Sequence, residues 1–466
     1  MKATIKIEKT HFNFKHTLLL LIILPFLSCQ EQFSMIDPPS NNNNEDSTEV
    51  DGYFVKTNGT GDGTSWDDAM SPDDFISRLN DGFETDDNIY IAGGVYYTGK
   101  QATDVMMISK ALNIVGGFDP NSSGNNIEIQ YPSAFETIFS ADLNNNNTPD
   151  AGDCRIMEIT TIGTIKLNGI TLTNGFVNEG ENRPCIQINN GARLELEYCK
   201  ITNNKSAITA SANAGGAAIY IKNGTVNCFK TEISDNRSDN RGGAIRLAES
   251  NSGSSTLILN SCLIKDNVLT GAYGGAIQVS GSNCPIYCIN TTITNNKANL
   301  GGAGINSGFD VYLINSTVVN NTCNDGTQGH DIRCESTNKF VIINSIVTGN
   351  PEKTNNTNPS ICINGATKSI ISRGYNIIGN HGGTGSYTTH TSDIYGKYLD
   401  DIFGINTLEA NNGYPFSIAL KQNFQGAPLA TLLSFAMSQF PYGDIAVDQR
   451  GETRADPSSI GAFEFK

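Results

Sequence analysis

The sequence predicts an all-β solenoid, one chain stacked coil upon coil in place of the two or three globular domains that 466 residues would otherwise hold. Three observations lead there. Four Gly-Gly-Ala triplets, at Gly215-Gly216-Ala217, Gly242-Gly243-Ala244, Gly274-Gly275-Ala276 and Gly301-Gly302-Ala303, recur at intervals of 27, 32 and 27 residues. Each leads into a short alternating run, such as Ile219-Tyr220-Ile221 or Ile277-Gln278-Val279, and a period of this length built on alternation marks a solenoid. A second column runs alongside. Leu172, Ile201, Ile233, Ile264, Ile293, Val318 and Val347 each precede a polar step, among them Asn203-Asn204, Asp235-Asn236, Asp266-Asn267, Asn295-Asn296 and Asn320-Asn321. Stacked Asn amides hydrogen-bond up and down a column, so these residues read as rungs of an in-register parallel stack rather than as ligands.

The segments follow in order. Residues 1–28 carry a basic stretch ending at Lys15 and His16, then an apolar run from Leu18 to Leu27. That run is too short to span a bilayer comfortably and reads as a signal peptide. Leu27-Ser28-Cys29 resembles the lipobox of bacterial lipoproteins, which implies lipid modification at Cys29 and an outer-membrane, surface-exposed location. Residues 29–50, with Pro38-Pro39 and Asn41-Asn42-Asn43-Asn44, read as a disordered tether. Residues 51–104 form an N-terminal cap: a strand at Tyr53-Phe54-Val55, a helix opened by Ser71-Pro72 with acids in its first turn, and a strand at Asn88–Ala92. Such a cap shields the open row of backbone groups at the end of a stack. The coils run over 105–400, and 401–466 close the body as a C-terminal cap.

The coils resemble a right-handed, single-stranded parallel β-helix of the pectin-lyase-like kind, with three strands per coil. Gly63-Thr64-Ser65-Trp66 and Ile91-Ala92-Gly93-Gly94 are similar to the opening of surface-anchored β-helix lipoproteins of Bacteroidetes type. The stretch Asp448–Arg454 with Ile460–Glu464 resembles their C-terminal choice-of-anchor segment. Within it, Asp448, Arg450, Arg454 and Glu464 are expected as ion pairs fastening the cap. The resemblance implies fold far more than activity, because this fold carries lyases, hydrolases and adhesins alike.

Charge and cysteines narrow the chemistry. The net charge is −16, and loss of residues 1–28, which carry +3, takes it to −19. An acidic surface repels phosphate backbones, so nucleic acid is excluded as a partner and polyanions fit poorly. The ten cysteines after Cys29 show neither zinc spacing nor a disulfide framework and read as small buried residues. A monomer is expected.

Strict alternation turns one residue per coil outward beside the triplets: Gln187, Tyr220, Arg246, Gln278, Asn306, Arg333 and Cys362. Amide, phenol and guanidinium groups in a row, flanked by glycines, suit hydroxyl-rich chains, so the first six form the expected ligand-binding face. The catalytic candidates are His330, Asp331 and Arg333. Gly329-His330-Asp331 echoes the Gly-His-Gly of polygalacturonase-like hydrolases, although it aligns with the triplets as a worn repeat. Asp142, Asn144, Asn146, Thr148, Asp150 and Asp153 occupy positions 1, 3, 5, 7, 9 and 12 of an EF-hand-like loop, a Ca²⁺ pattern with Asn147 in place of the usual Gly. Three functions remain open: a lipid-anchored protein binding glycan or another surface partner without catalysis, a polysaccharide lyase or hydrolase, and a structural stalk or adhesin. No cofactor beyond Ca²⁺ is implied.

Overall fold

The computed structural model describes residues 51–465, apart from 126, 128–129, 179–183, 210–214, 249–252, 282, 336–338, 350–357, 405–407, 410–414 and 440–444. The signal, Cys29 and the tether lie outside the described residues. Strands stack into three long parallel sheets of twelve, eleven and ten strands, with a short sheet of six, so the parallel β-helix expected from the repeat is the observed fold. A middle coil shows the plan. Ala192–Glu197 lies in the twelve-stranded sheet, Lys200–Thr202 in the eleven-stranded sheet, Lys205–Ser206 in the short sheet and Ile219–Lys222 in the ten-stranded sheet. The next coil repeats this one strand further on, pairing Leu194 with Val226, Ile201 with Ile233 and Ile219 with Ile245. The short fourth strand is an addition to the three expected: after the paired-Asn turn the backbone stays in register for two more residues, from Phe176–Val177 to Thr322–Cys323.

Alternation fills the interior. Leu194, Leu196, Ile201, Ile219, Ile221, Val226, Cys228 and Ile233, with their equivalents above and below, are fully buried in one continuous core. Removing that apolar surface from water at about 25 cal/mol per Å² supplies the main driving force. All ten described cysteines are free thiols, nine of them buried. Cys199 and Cys262 occupy one column with Thr231 between them, where burial pushes both thiols up to about 12.

The polar column is the spine. Asn204, Asn236, Asn267 and Asn296 each donate from Nδ2 to the Oδ1 of the next rung at 2.9 Å, and that oxygen also accepts the backbone N–H of the rung below. Each of the rungs Asn236, Asn267, Asn296 and Asn321 also donates to carbonyls of its own and the preceding coil, so buried backbone that strand pairing would leave open is satisfied. Asn321 then donates to Asp331 Oδ1 at 2.9 Å, and the column of amides ends on a carboxyl.

Two corners turn through the left-handed region. One holds Asn174, Asn203, Asp235, Asp266, Asn295 and Asn320, with φ between 54° and 62°. The other holds Tyr198, Lys230, Ser261, Asn290, Asn315 and Asn344 at φ 45–56°, and Tyr198 and Lys230 have no short polar side chain of the Asn kind to favour that turn.

Both ends differ from a simple cap. Tyr53–Val55 pairs with Asp87–Ala92, which pairs with Leu112–Phe118, so the stack reaches back into 51–104. Helix α1, Pro72–Arg78, is N-capped by Ser71 Oγ on the Asp74 N–H and buries Phe75 in the main core. The C-terminal segment packs along the flank instead of closing the last coil. Gln449 donates to the Cys262 carbonyl, Arg454 to Asn290 Oδ1, and Asn344 to Ser458 and Ser459. Helix α2, Leu399–Ile402, joins a cluster over Ile346 and Ile377, and helix α3, Leu429–Gln439, brings Leu432 and Ala436 against Ile289, Ile314 and Ile343. The expected ion pairs are present: Asp448–Arg450 at 2.6 Å and Arg454–Glu464 at 3.3 Å. No helix among the described residues is long and apolar enough to cross a membrane.

Replacing Asn267 by Ala strands the backbone N–H of Asn236 inside the core and takes the amide donor away from the carbonyls of Ile233 and Lys265. A buried donor left unpaired costs about 1–3 kcal/mol and each further lost bond about 1 kcal/mol, so the urea midpoint should fall sharply with little change in slope. A midpoint within error of the parent would remove the column from its structural role.

Candidate functional site

The outward row is in register but not exposed. Gln187, Tyr220, Arg246, Gln278, Asn306, Arg333 and Cys362 stack as direct neighbours across successive coils. From Tyr220 onward each is 1–5% exposed, and only Gln187 is partly open. The physical reason lies in the glycines. A Cβ on Gly215 would stand 3.2 Å from Arg246 Cδ, and one on Gly301 would stand 3.0 Å from Arg333 Cδ. The space that the flanking glycines leave is therefore occupied by arginine stems lying on glycine backbone. Arg246 sits over the Tyr220 ring and donates to Ser280 Oγ, and Arg333 packs on Tyr273 at 4.0 Å, donates to Asn306 and pairs with Glu335 at 2.6 Å. Burial lowers the Arg246 guanidinium to about 10. Alternation predicts which side a residue faces, not what folds over it, and this row is a covered polar seam, not an open binding face.

The catalytic candidates are likewise engaged in structure. His330 is buried, and its Nδ1 accepts the Cys323 N–H at 3.0 Å, which leaves the proton of the neutral ring on Nε2. Gly302 and Ala303 donate to the carbonyls of Gly329 and His330, so this segment takes the place of a triplet, as the repeat alignment implies. Asp331 completes the amide column, and Arg333 lies in the seam. Other carboxylates are committed elsewhere: Asp239 accepts from Thr270 and faces Arg237 at 3.5 Å, and Asp266 pairs with Lys265 at 3.2 Å. Two acids and a base around one reacting centre are not assembled from these residues.

Open concavities lie elsewhere, on either side of the Asp142–Asp153 loop. The larger, about 850 Å³, is bordered by Tyr97, Asp73, Lys100, Asp104, Leu143 and Asn145. Tyr97 is 42% exposed and Val95 43%, both on the outer side of the strand Gly94–Tyr97. The smaller, about 460 Å³, has Thr148 and Pro149 on one side and Asn203, Asp235, Arg237 and Asp266 across its floor. The alternation of Val95-Tyr96-Tyr97 was the available signal for the first cleft, but it becomes a site only once the distant loop folds beside it.

The loop itself is a chain of side-chain-capped turns. Asp142 accepts the N–H groups of Asn146 and Asn147, Asp150 accepts from Gly152, and Asp153 accepts from Leu143 and Asp150. The Gly152 N–H and the Asn146 amide hold Asp150 below the usual carboxylate range, whereas burial raises Asp153. Asn147 takes the left-handed turn at φ 54°. Among the described residues no three His, Cys, Asp or Glu side chains gather as a metal site.

No protein-family model matches the sequence, and no curated protein matches it. Among solved structures the chain is similar to the pectate lyase Pel9A, at 12% identity and a TM-score of 0.43, covering 90% of this chain and 98% of that one. It is also similar to ORF18 of Geobacillus virus E2, at 11% identity and a TM-score of 0.28, covering 80% and 66%. At these values neither likeness carries an activity or a substrate to this chain.

Asp331 gives the column a pH dependence. Burial pushes its carboxyl up to about 8, against the downward pull of the Asn321 hydrogen bonds. In the unfolded chain the group titrates near about 3.9, so between these values the folded state holds a proton that the unfolded state has released. Stability then falls as pH rises through that window, by up to about 1.4 kcal/mol per unit. Asp331→Asn keeps the acceptor for Asn321 and removes the titration. It should match the parent below about pH 4, where both states of the parent are protonated, and exceed it increasingly up to about pH 8 in chemical denaturation. Equal pH slopes for the two proteins would show that Asp331 does not carry the linkage.

Proposed function

We propose that this chain is a lipid-anchored, cell-surface β-helix protein that binds glycan without turning it over. The anchor is the lipobox-like Cys29, and the outer-membrane location follows from the same segment. The observation that carries the binding is the cleft beside Tyr97: an exposed aromatic ring next to an acid–base pair, Asp73–Lys100 at 2.8 Å, and the amide of Asn145. A sugar presents C–H groups to an aromatic face and hydroxyls to acids and amides, so this lining suits a saccharide. The burial of His330, Asp331 and Arg333 counts against the lyase or hydrolase reading. The two open clefts count against a purely structural stalk. Retention on immobilised glycans, with new unsaturated and reducing ends assayed in parallel, tests the reading. Tyr97→Ala should lose at least tenfold in affinity, about 1.4 kcal/mol, whereas Tyr97→Phe, which also lacks the bond to Asn145 but keeps the ring, should bind nearly as the parent does. New chain ends released by the parent protein would establish catalysis instead.

Ca²⁺ belongs to the same proposal. Asp142, Asn144, Asn146, Thr148, Asp150 and Asp153 offer oxygens at alternating positions, and Asn147 takes the turn that this loop type usually gives to Gly. Millimolar Ca²⁺ should raise Tm by several degrees and EGTA should reverse it, because a cation bound only by the folded state stabilises it. A Tm indifferent to both would leave the loop held by its own hydrogen bonds.

A further inference from the structure

The two clefts share one wall. On one side the Tyr97 hydroxyl donates to Asn145 Oδ1, and on the other Asn203 Nδ2 donates to the Asn147 carbonyl at 3.1 Å. The larger cleft takes Leu143 and Asn145 from the loop, and the smaller takes Thr148 and Pro149. Two residues separate Asn145 from Thr148, and the three steps span at most about 10 Å even when extended. Residues Asn144–Thr148 are exposed; Asn144 and Asn146 donate to Asp150, so the crest presents chiefly the amides of Asn145 and Asn147 to anything lying across it.

The floor of the smaller cleft breaks the pattern of its corner. In that left-handed column Asn203 donates to Asn174 and Asn320 donates to Asn295, each at 2.6 Å. Between these amide pairs stand Asp235 and Asp266, on successive coils, and two carboxylates cannot donate to one another. Lys265 lies 3.9 and 3.2 Å from them and offsets part of their repulsion. Their side chains are 55% and 40% exposed toward solvent, so acceptors stand where the fold alone would be better served by amides.

Charge decides the class of ligand. The larger cleft sets Lys100 against Asp73 and Asp104, and the smaller sets Lys205 and Arg237 against Asp235 and Asp266. Neither cleft therefore has cationic charge in surplus for a polyuronate, and the chain carries −16 overall.

We infer that the two clefts form one path, occupied by a single neutral polysaccharide chain that crosses the Asp142–Asp153 loop. This rests on the proposed glycan-binding function and extends it from a sugar unit to a polymer. The Tyr97 cleft holds one stretch, the loop crest contacts the next, and Asp235 and Asp266 accept hydroxyl hydrogens beyond it.

The test uses the intact ectodomain and size-fractionated oligomers of β-glucan, mannan and galactan, with polygalacturonate as the anionic comparison. For the neutral series that binds, affinity should rise at least tenfold from oligomers that fill the Tyr97 cleft to those that span both. Arg237→Ala should abolish that rise while leaving short-oligomer affinity unchanged. Asp235→Asn supplies an amide donor toward Asn203 and removes the repulsion from Asp266, so it should keep or raise Tm and still weaken long oligomers severalfold, a pattern that a folding defect would not give. Affinity independent of length, or long-oligomer affinity untouched by both variants, overturns the shared path and leaves the Tyr97 cleft standing. Tighter binding of polygalacturonate overturns the neutral class. No retention of any glycan overturns the glycan reading itself, and this inference with it.

Discussion

A coiled chain that stacks in register must bring every turn back to the same place one strand spacing further on, and its buried corner carbonyls and N–H groups must find partners there. The column from Asn204 to Asn321 meets both demands at once. Each side chain binds its own coil, the coil below and the rung above, so an error in one coil's register would unpair buried groups in two others. The apolar interior is far more permissive. Leu, Val, Cys and Ile exchange freely along its columns, as Leu196, Cys228, Leu259 and Cys288 do, because burial is non-directional whereas the amide bonds are not.

The same constraint explains where variation is tolerated. Coils differ in length by several residues, and the difference is absorbed away from the amide column, both ahead of the Gly-Gly segment and between the ten- and twelve-stranded sheets, where one residue separates Lys222 from Gly224 but six separate Ala248 from Ser255. The Asp142–Asp153 loop is a long excursion of the first kind, between Thr137–Ser140 and Met157–Ile159. It stays ordered through its own capped turns and two ties to neighbouring coils, so an irregular excursion becomes a fixed feature on a regular body.

The periodic part of this architecture is legible in sequence because it is periodic. The interval of the Gly-Gly-Ala triplets, the branched column from Leu172 to Val347 and the paired Asn steps are local and repeated, and the fold follows from them. What depends on a single distant contact is not legible. Tyr220 to Arg333 alternate like solvent-facing residues, but the covering backbone belongs to adjacent turns. Tyr198 and Lys230 adopt left-handed corners that their side chains do not advertise, because the stack forces them there. The cleft at Tyr97 needs a loop more than forty residues away, and no alternation pattern encodes that juxtaposition.

The strap formed by the last residues has a consequence in time. Gln449 reaches the Cys262 carbonyl across 187 residues, and Lys230 meets the Arg450 carbonyl across 220. Closing loops of that length adds entropy cost only logarithmically, but it places these contacts among the last to form. Coils in the middle of the body therefore wait for the far end of the polypeptide before their outer faces are sealed. A chain delivered from its N-terminus across a membrane would remain incompletely closed until delivery is finished, and only then acquire the resistance to unfolding and proteolysis that the sealed flank confers.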